Sequence, residues 1–145
     1  FRQIALEKRL SVSELSEIAS KDRGVDDLVD EHTRREARQG DVVLDGLLTG
    51  WMAREEADLK IFLTASERGR VERIANRDGT SYSAARKATL LRERLERRRF
   101  KKFYGINIDD TSIYDLVLNT ALLPLEDNAK ILERFIREYK VHRGK

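Results

Sequence analysis

The chain has 145 residues, of which 40% are hydrophobic and 38% charged, a balance that suits one globular domain with a heavily ionised surface. It has no cysteine, which excludes disulfides, thiol catalysis and cysteine metal sites, and no apolar stretch approaches the roughly 20 residues that span a bilayer. The formal charge of +3 is unevenly spread: residues 86–102 carry nine Lys/Arg against two Glu, a local +7 that leaves −4 on the rest. A basic segment on a slightly acidic body suits an anionic ligand, either a phosphate or a nucleic acid.

In chain order, residues 1–9 read as the end of a helix with Ile4, Leu6 and Leu10 as its apolar positions. Ser11 and Glu14 form a capping-box pattern that opens a second helix with Leu15, Ile18 and Ala19 on its apolar face. Residues 25–39 continue as a helix through Leu28, Val29 and Ala37, and Gly40 sits where a helix-ending glycine belongs. Residues 41–45 read as a short buried strand that ends on Asp45, and residues 46–56 as a loop with a helical turn. A second strand is predicted over 58–63, a helix over 67–77, and a break at Asp78, Gly79 and Thr80. A long helix follows over 83–103, then a third strand over 114–118. Pro124 and Glu126 start an amphipathic helix with Ile131, Leu132, Phe135 and Ile136 on one face, which reads as core. Apolar strands alternating with helices predict an α/β domain with a parallel sheet covered on both faces.

Three constellations carry candidate chemistry. Arg92, Arg94, Arg97, Arg98 and Arg99 lie within two turns of one helix. Guanidinium groups grip phosphate oxygens bidentately and keep their charge. Glu93 and Glu96 are too few to balance them, so a phosphate-gripping role gains over a merely solvated face. Asp45, at the end of a strand and before Gly46, lies where open α/β sheets place ligands. It is suited to a metal-bound water or a ribose hydroxyl, and equally to starting an Asp-Gly turn. Arg70, Arg73 and Arg77 share one helix face, where they either line phosphates or pair with Glu67 and Glu72. His32 and His142 have no partner at metal-ligand spacing, so no structural zinc is expected. Trp51 reads as a packing residue near the sheet edge.

Taken together, these segments resemble the archaeal type of cytidylate kinase, a nucleoside monophosphate kinase of the P-loop class. The matching stretches are Phe1-Arg2, Val25 and Asp26 with Asp30, VVLDG at 42–46 with GWM at 50–52, DLKIFL at 58–63, and RVERIA at 70–75. They continue with residues 92–99 and with FYGINIDDTSIYDLVLNT at 103–120, the most specific of all. The resemblance implies a three-layer nucleoside monophosphate kinase fold with a parallel sheet. Residues 1–40 would be the monophosphate-binding helices, 41–75 and 104–145 the core, and 76–103 the lid. It implies transfer of the ATP γ-phosphoryl group to CMP or dCMP, with Mg²⁺ as cofactor, in the cytoplasm. By resemblance, Arg92, Arg97 and Arg99 are catalytic lid residues. Arg2, Asp26, Asp30 and Asp45 bind the acceptor, with Asp45 also near the metal-water shell. Arg70 and Arg73 flank ATP. Nucleic acid and membrane are not expected as partners, and the protein is a monomer or an oligomer of unknown order.

Two departures from the family pattern matter. Leu47 stands where family members usually carry an arginine, so one phosphate or base contact is either missing or supplied by another residue such as Arg34 or Arg35. No glycine-rich phosphate loop occurs in these residues. In the family the strand leading into that loop is central, between the strands matching 41–45 and 58–63. The chain without it is expected to lack kinase activity and to expose two unpaired apolar edges. A non-catalytic relative that binds RNA or protein through the basic helix, and a kinase for UMP or AMP, are the alternatives.

Overall fold

A computed structural model describes residues 2–144, with the side chains of residues 2, 3 and 13 outside the described set. The elements are α1 (Arg2–Glu7), α2 (Val12–Lys21), α3 (Gly24–Gln39), α4 (Thr49–Met52), β1 (Ile61–Thr64), α5 (Glu67–Asp78), α6 (Tyr82–Tyr104), β2 (Leu116–Asn119) and α7 (Leu125–Arg143). The molecule is mixed α/β and mostly helical, around a small parallel sheet, in keeping with a nucleoside monophosphate kinase fold.

Local signals set most helix ends. The Ser11 side chain accepts from the Glu14 amide at 3.1 Å, and the Ser11 amide donates to the Glu14 carboxylate at 2.7 Å, which completes the capping box of α2. Ser66 and Ser81 cap α5 and α6 in the same one-sided way. Gly79 (φ 62°) and Gly105 (φ 69°) end these helices in the left-handed region, where a Cβ is disfavoured.

The α5–α6 pair is the crossover that makes β1 and β2 parallel, with Ile61 opposite Leu116 and Thr64 opposite Asn119. It has its own small core of Val71, Ala75 and Ala85. A second small core, Ala5, Leu15, Ala19 and Val25, holds α1, α2 and α3 together. Tyr114 packs against Phe62 with ring centroids 5.0 Å apart. Gly50 lets α4 lie against that tyrosine, because a Cβ there would stand 2.6 Å from Tyr114 Cε1. Buried Asn128 donates to the carbonyls of Thr120, Leu123 and Pro124 and so fixes the turn between β2 and α7.

The structure corrects several expectations. Residues 41–45 are extended but pair with nothing among the described residues, and Val43 is 94% exposed. A strand needs a neighbour to take its backbone bonds, and apolar composition alone does not supply one. Gly40 (φ 72°) and Asp41 (φ 50°) turn the chain away from α3 just before this segment. The strands predicted at 58–63 and 114–118 exist but are shifted to 61–64 and 116–119, and they are only half-buried. Ile18 and Leu28 face solvent rather than a core. The apolar face of α7 is not core either: Leu132 and Ile136 are half-buried, and with Tyr139 they line an open cleft.

Candidate functional site

That cleft, about 1110 Å³, runs between residues 40–47 on one side and β1 on the other. Asp45 stands exposed on its wall, and Gly46 and Leu47 follow on the same wall. Among the described residues no three His, Cys, Asp or Glu side chains converge to hold a metal ion. Asp41, Glu56 and Asp58 also line the cleft, and carboxylates dispersed in this way fit a Mg²⁺ held chiefly by phosphate oxygens and water, with the protein reaching only its outer shell.

Outside the cleft lining, side chains of α6 meet those of α3, and their junction is polar and buried. Arg99 Nε is 3.2 Å from Asp26 Oδ2, with both side chains only 6% exposed. One turn further along each helix, the Tyr104 hydroxyl donates to Asp30 Oδ2 at 2.6 Å. Burial raises the pKa of both aspartates; Arg99 opposes the shift at Asp26, and the Tyr104 hydrogen bond opposes it at Asp30. Burial, and then the Asp30 hydrogen bond, push the Tyr104 hydroxyl above its ordinary range, so it is a donor at any physiological pH. Arg23 covers the Tyr104 ring, 5.4 Å from its centroid. Tyr104, the residue that closes this junction, belongs to the specific 103–120 stretch but carried no predicted role. Its only signal in the sequence was an aromatic hydroxyl at the end of a basic helix.

Arg92, Arg97, Arg70, Arg73 and Arg77 are held by carboxylates and carbonyls. Arg92 Nε is 3.7 Å from Glu96. Glu96 is raised in pKa by burial, against the pull of Arg92 and Arg99. Arg97 grips both oxygens of Asp109, at 3.1 and 3.2 Å, with Glu93 at 3.8 Å. Arg70 makes a bidentate pair with Glu93, at 3.0 and 3.1 Å, and donates to the Ala65 carbonyl. Arg73 donates to the Thr120 hydroxyl at 2.8 Å and to its carbonyl at 2.6 Å. Arg77 pairs with Asp78. The partners Glu93, Asp109 and Thr120 were missed because they are remote in sequence and become neighbours only when α6 and β2 fold back. Phe1 and the Arg2 side chain lie outside the described residues.

The structure also separates Arg34 from Arg35. Arg34 Nη2 lies 3.3 Å from Met52 Sδ, against the 46–53 segment that carries Leu47. Arg35 turns away to His32 at 2.7 Å and to Glu36 at 3.4 Å.

A parallel strand pair joined through two helices, with arginines dense on the second helix and a separate cleft walled by Asp45, makes an α/β domain suited to anionic ligands. Residues 2–122 match the family model described as the cytidylate kinase-like family, and the chain belongs to that family. It is 45% identical over 139 residues to a cytidylate kinase of Staphylothermus marinus, covering 96% of this chain and 78% of that protein. It is 42% identical over 137 residues to a cytidylate kinase of Desulfurococcus amylolyticus, covering 94% and 74%. A cytidylate kinase of Archaeoglobus fulgidus is 37% identical over 142 residues, covering 97% and 78%. The chain is thus a nucleotide-binding transferase of the nucleoside monophosphate kinase class. Among the described residues no helix is long and apolar enough to cross a membrane.

Proposed function

We propose that this chain is the greater part of a cytidylate kinase that transfers the ATP γ-phosphoryl group to CMP or dCMP, giving ADP and CDP or dCDP, in the cytoplasm. The observation that carries the reading is the similarity to cytidylate kinases along 90% or more of the chain, including the arginine helix and the Asp45 wall. Catalysis of this kind is mostly positioning and neutralisation of charge on the transferred group. Arg92, held by a 3.7 Å contact with Glu96, reaches the transferring phosphoryl group first. Arg97 and Arg99 follow when phosphate oxygens replace Asp109 and Asp26 as their partners. Asp26 and Asp30 lie on the acceptor side. Asp45 faces the acceptor ribose and the water shell of Mg²⁺, which enters with ATP and offsets the phosphate charge. Arg70 and Arg73 flank ATP, and Arg2 meets the acceptor phosphate. Arg34, rather than Arg35, stands in for the arginine that Leu47 replaces.

The cleft between residues 41–45 and β1 is where the family's central strand and phosphate loop would run, and these residues contain no such loop. The 145 residues by themselves are therefore inactive, and the protein with that segment joined before Phe1 is active. The test is CDP formation from ATP, Mg²⁺ and a panel of CMP, dCMP, UMP and AMP, for both forms. CDP from the extended protein alone is expected. No CDP above background from the extended protein sinks the kinase reading, and faster turnover of UMP or AMP reassigns the acceptor.

A further inference from the structure

The α6 helix has a second charged face that the kinase reading does not use. Its inward face carries Ala85, Thr89, Glu96, Arg99 and Phe100, all buried or half-buried. The opposite face carries Arg94, Arg98, Lys101 and Lys102, all exposed, because positions 94, 98, 101 and 102 fall on one stripe at helical spacing. On the sequence alone, Glu93 and Glu96 are the carboxylates among residues 86–102 and are too few to balance their cations. In the fold they are spent elsewhere: Glu93 on Arg70 and Arg97, and Glu96 towards Arg92. Among the described residues no carboxylate lies within ion-pair distance of the four outward cations, and the nearby Asp109 engages Arg97.

Helix stability does not account for this stripe. Cations in the last turn are favoured by the helix dipole, which covers Lys101 and Lys102. Arg94 and Arg98 lie before that turn, and like charges four apart, as in Arg94–Arg98 and Arg98–Lys102, oppose the helix. The stripe borders an open depression of about 560 Å³, lined by Arg97, Arg98, Lys101, Lys102, Ile106, Asn107 and Ile108. A row of point charges about one helical turn apart beside an aliphatic patch suits a chain of phosphates with sugars against the isoleucines. No aromatic ring lines the depression, so bases are not read and binding is independent of sequence.

We propose that the outward face of α6, Arg94, Arg98, Lys101 and Lys102, is a docking ridge for the phosphate backbone of single-stranded RNA, separate from the nucleotide cleft. Its occupant is set by charge complementarity, and four phosphate contacts fix the salt dependence. Affinity for a fluorescein-labelled oligouridylate, read by anisotropy, falls about 50-fold between roughly 50 and 200 mM salt. In R94Q/R98Q/K102Q the same salt range changes affinity only about threefold, since one contact remains. Lys101 is kept because its ammonium reaches the Gly105 carbonyl at 3.4 Å and supports the helix end. Unchanged far-ultraviolet circular dichroism checks that the variant is folded; should it unfold, R98Q/K102Q replaces it and halves the logarithmic salt slope. Absence of RNA binding at low salt, or a salt slope untouched by the substitutions, overturns the proposal. Equal affinity for polyglutamate overturns the choice of RNA. Displacement by CMP or ATP puts the RNA in the nucleotide cleft and overturns the separate ridge. None of these readouts depends on kinase activity.

Discussion

The α3–α6 junction and the cleft beside β1 are completed in opposite ways. At the junction the buried carboxylates face counter-groups: Asp26 ion-pairs with Arg99, although Asp26 Oδ2 and Arg99 Nε make no hydrogen bond there, and Asp30 accepts from Tyr104. At the cleft, apolar groups that the sequence pattern marks for burial remain in water, with Val43 94% and Leu63 54% exposed. The junction is built from two helices that satisfy their own backbones, so only side chains had to find one another. The cleft is edged by β1 and residues 41–45, which pair with no further strand among the described residues. Polar burial here marks completion, and apolar exposure marks the place where something else belongs.

The comparison predicts that damage to the junction costs much and damage to the cleft wall little. The largest effect is expected from Arg99→Met, which leaves Asp26 buried without its guanidinium. Breaking a buried pair in this way costs about 3 kcal/mol, read from urea unfolding. A loss below about 1 kcal/mol would mean that the junction opens freely to water. Tyr104→Phe removes a hydrogen bond to a buried carboxylate and is expected to cost about 2 kcal/mol in the same assay. Gly50→Ala comes next. Its Cβ would stand 2.6 Å from Tyr114, so ring or helix must shift, at about 1–2 kcal/mol. Val43→Thr, on the open wall, is expected to change stability by less than about 0.5 kcal/mol. A larger loss would show that the wall is covered in solution.

pH sharpens the same contrast. Burial raises the folded-state pKa of Asp26, Asp30 and Glu96. Such carboxylates hold a proton more tightly folded than unfolded. Their contribution to stability therefore falls as pH rises from the ordinary carboxylate value through the raised one, and the full penalty stands above that window. Asp30→Asn removes one of these titrations. The change in urea midpoint between about pH 4 and about pH 7 is expected to be more positive towards neutral pH in the variant than in the parent. An identical pH response in both proteins would show that Asp30 is not desolvated.

Much of the fold was legible without coordinates. The capping box at Ser11, the glycines at 79 and 105 and the apolar spacing of α5 and α6 are local signals, decided within a turn or two of chain. The candidate site was legible only as a set of residue types. Arginine density pointed to α6, but nothing in the spacing showed that Arg99 turns inward to Asp26 while Arg98 turns out. The strand expected at 41–45 failed for a related reason, since its composition fits a strand and its partner is not local.

By itself, then, the sequence determined the helices, the parallel strand pair and the kinase family, because these rest on short-range backbone preferences and on a long specific stretch at 103–120. Only the tertiary structure decided which arginines are spent on carboxylates and which face solvent. It alone showed Tyr104 closing on Asp30 across 74 positions, and residues 41–45, expected as a strand, lying unpaired along an open cleft. Pairing of charges and pairing of strands are contacts between distant segments, and their energies depend on distance and burial, which exist only once the chain has folded.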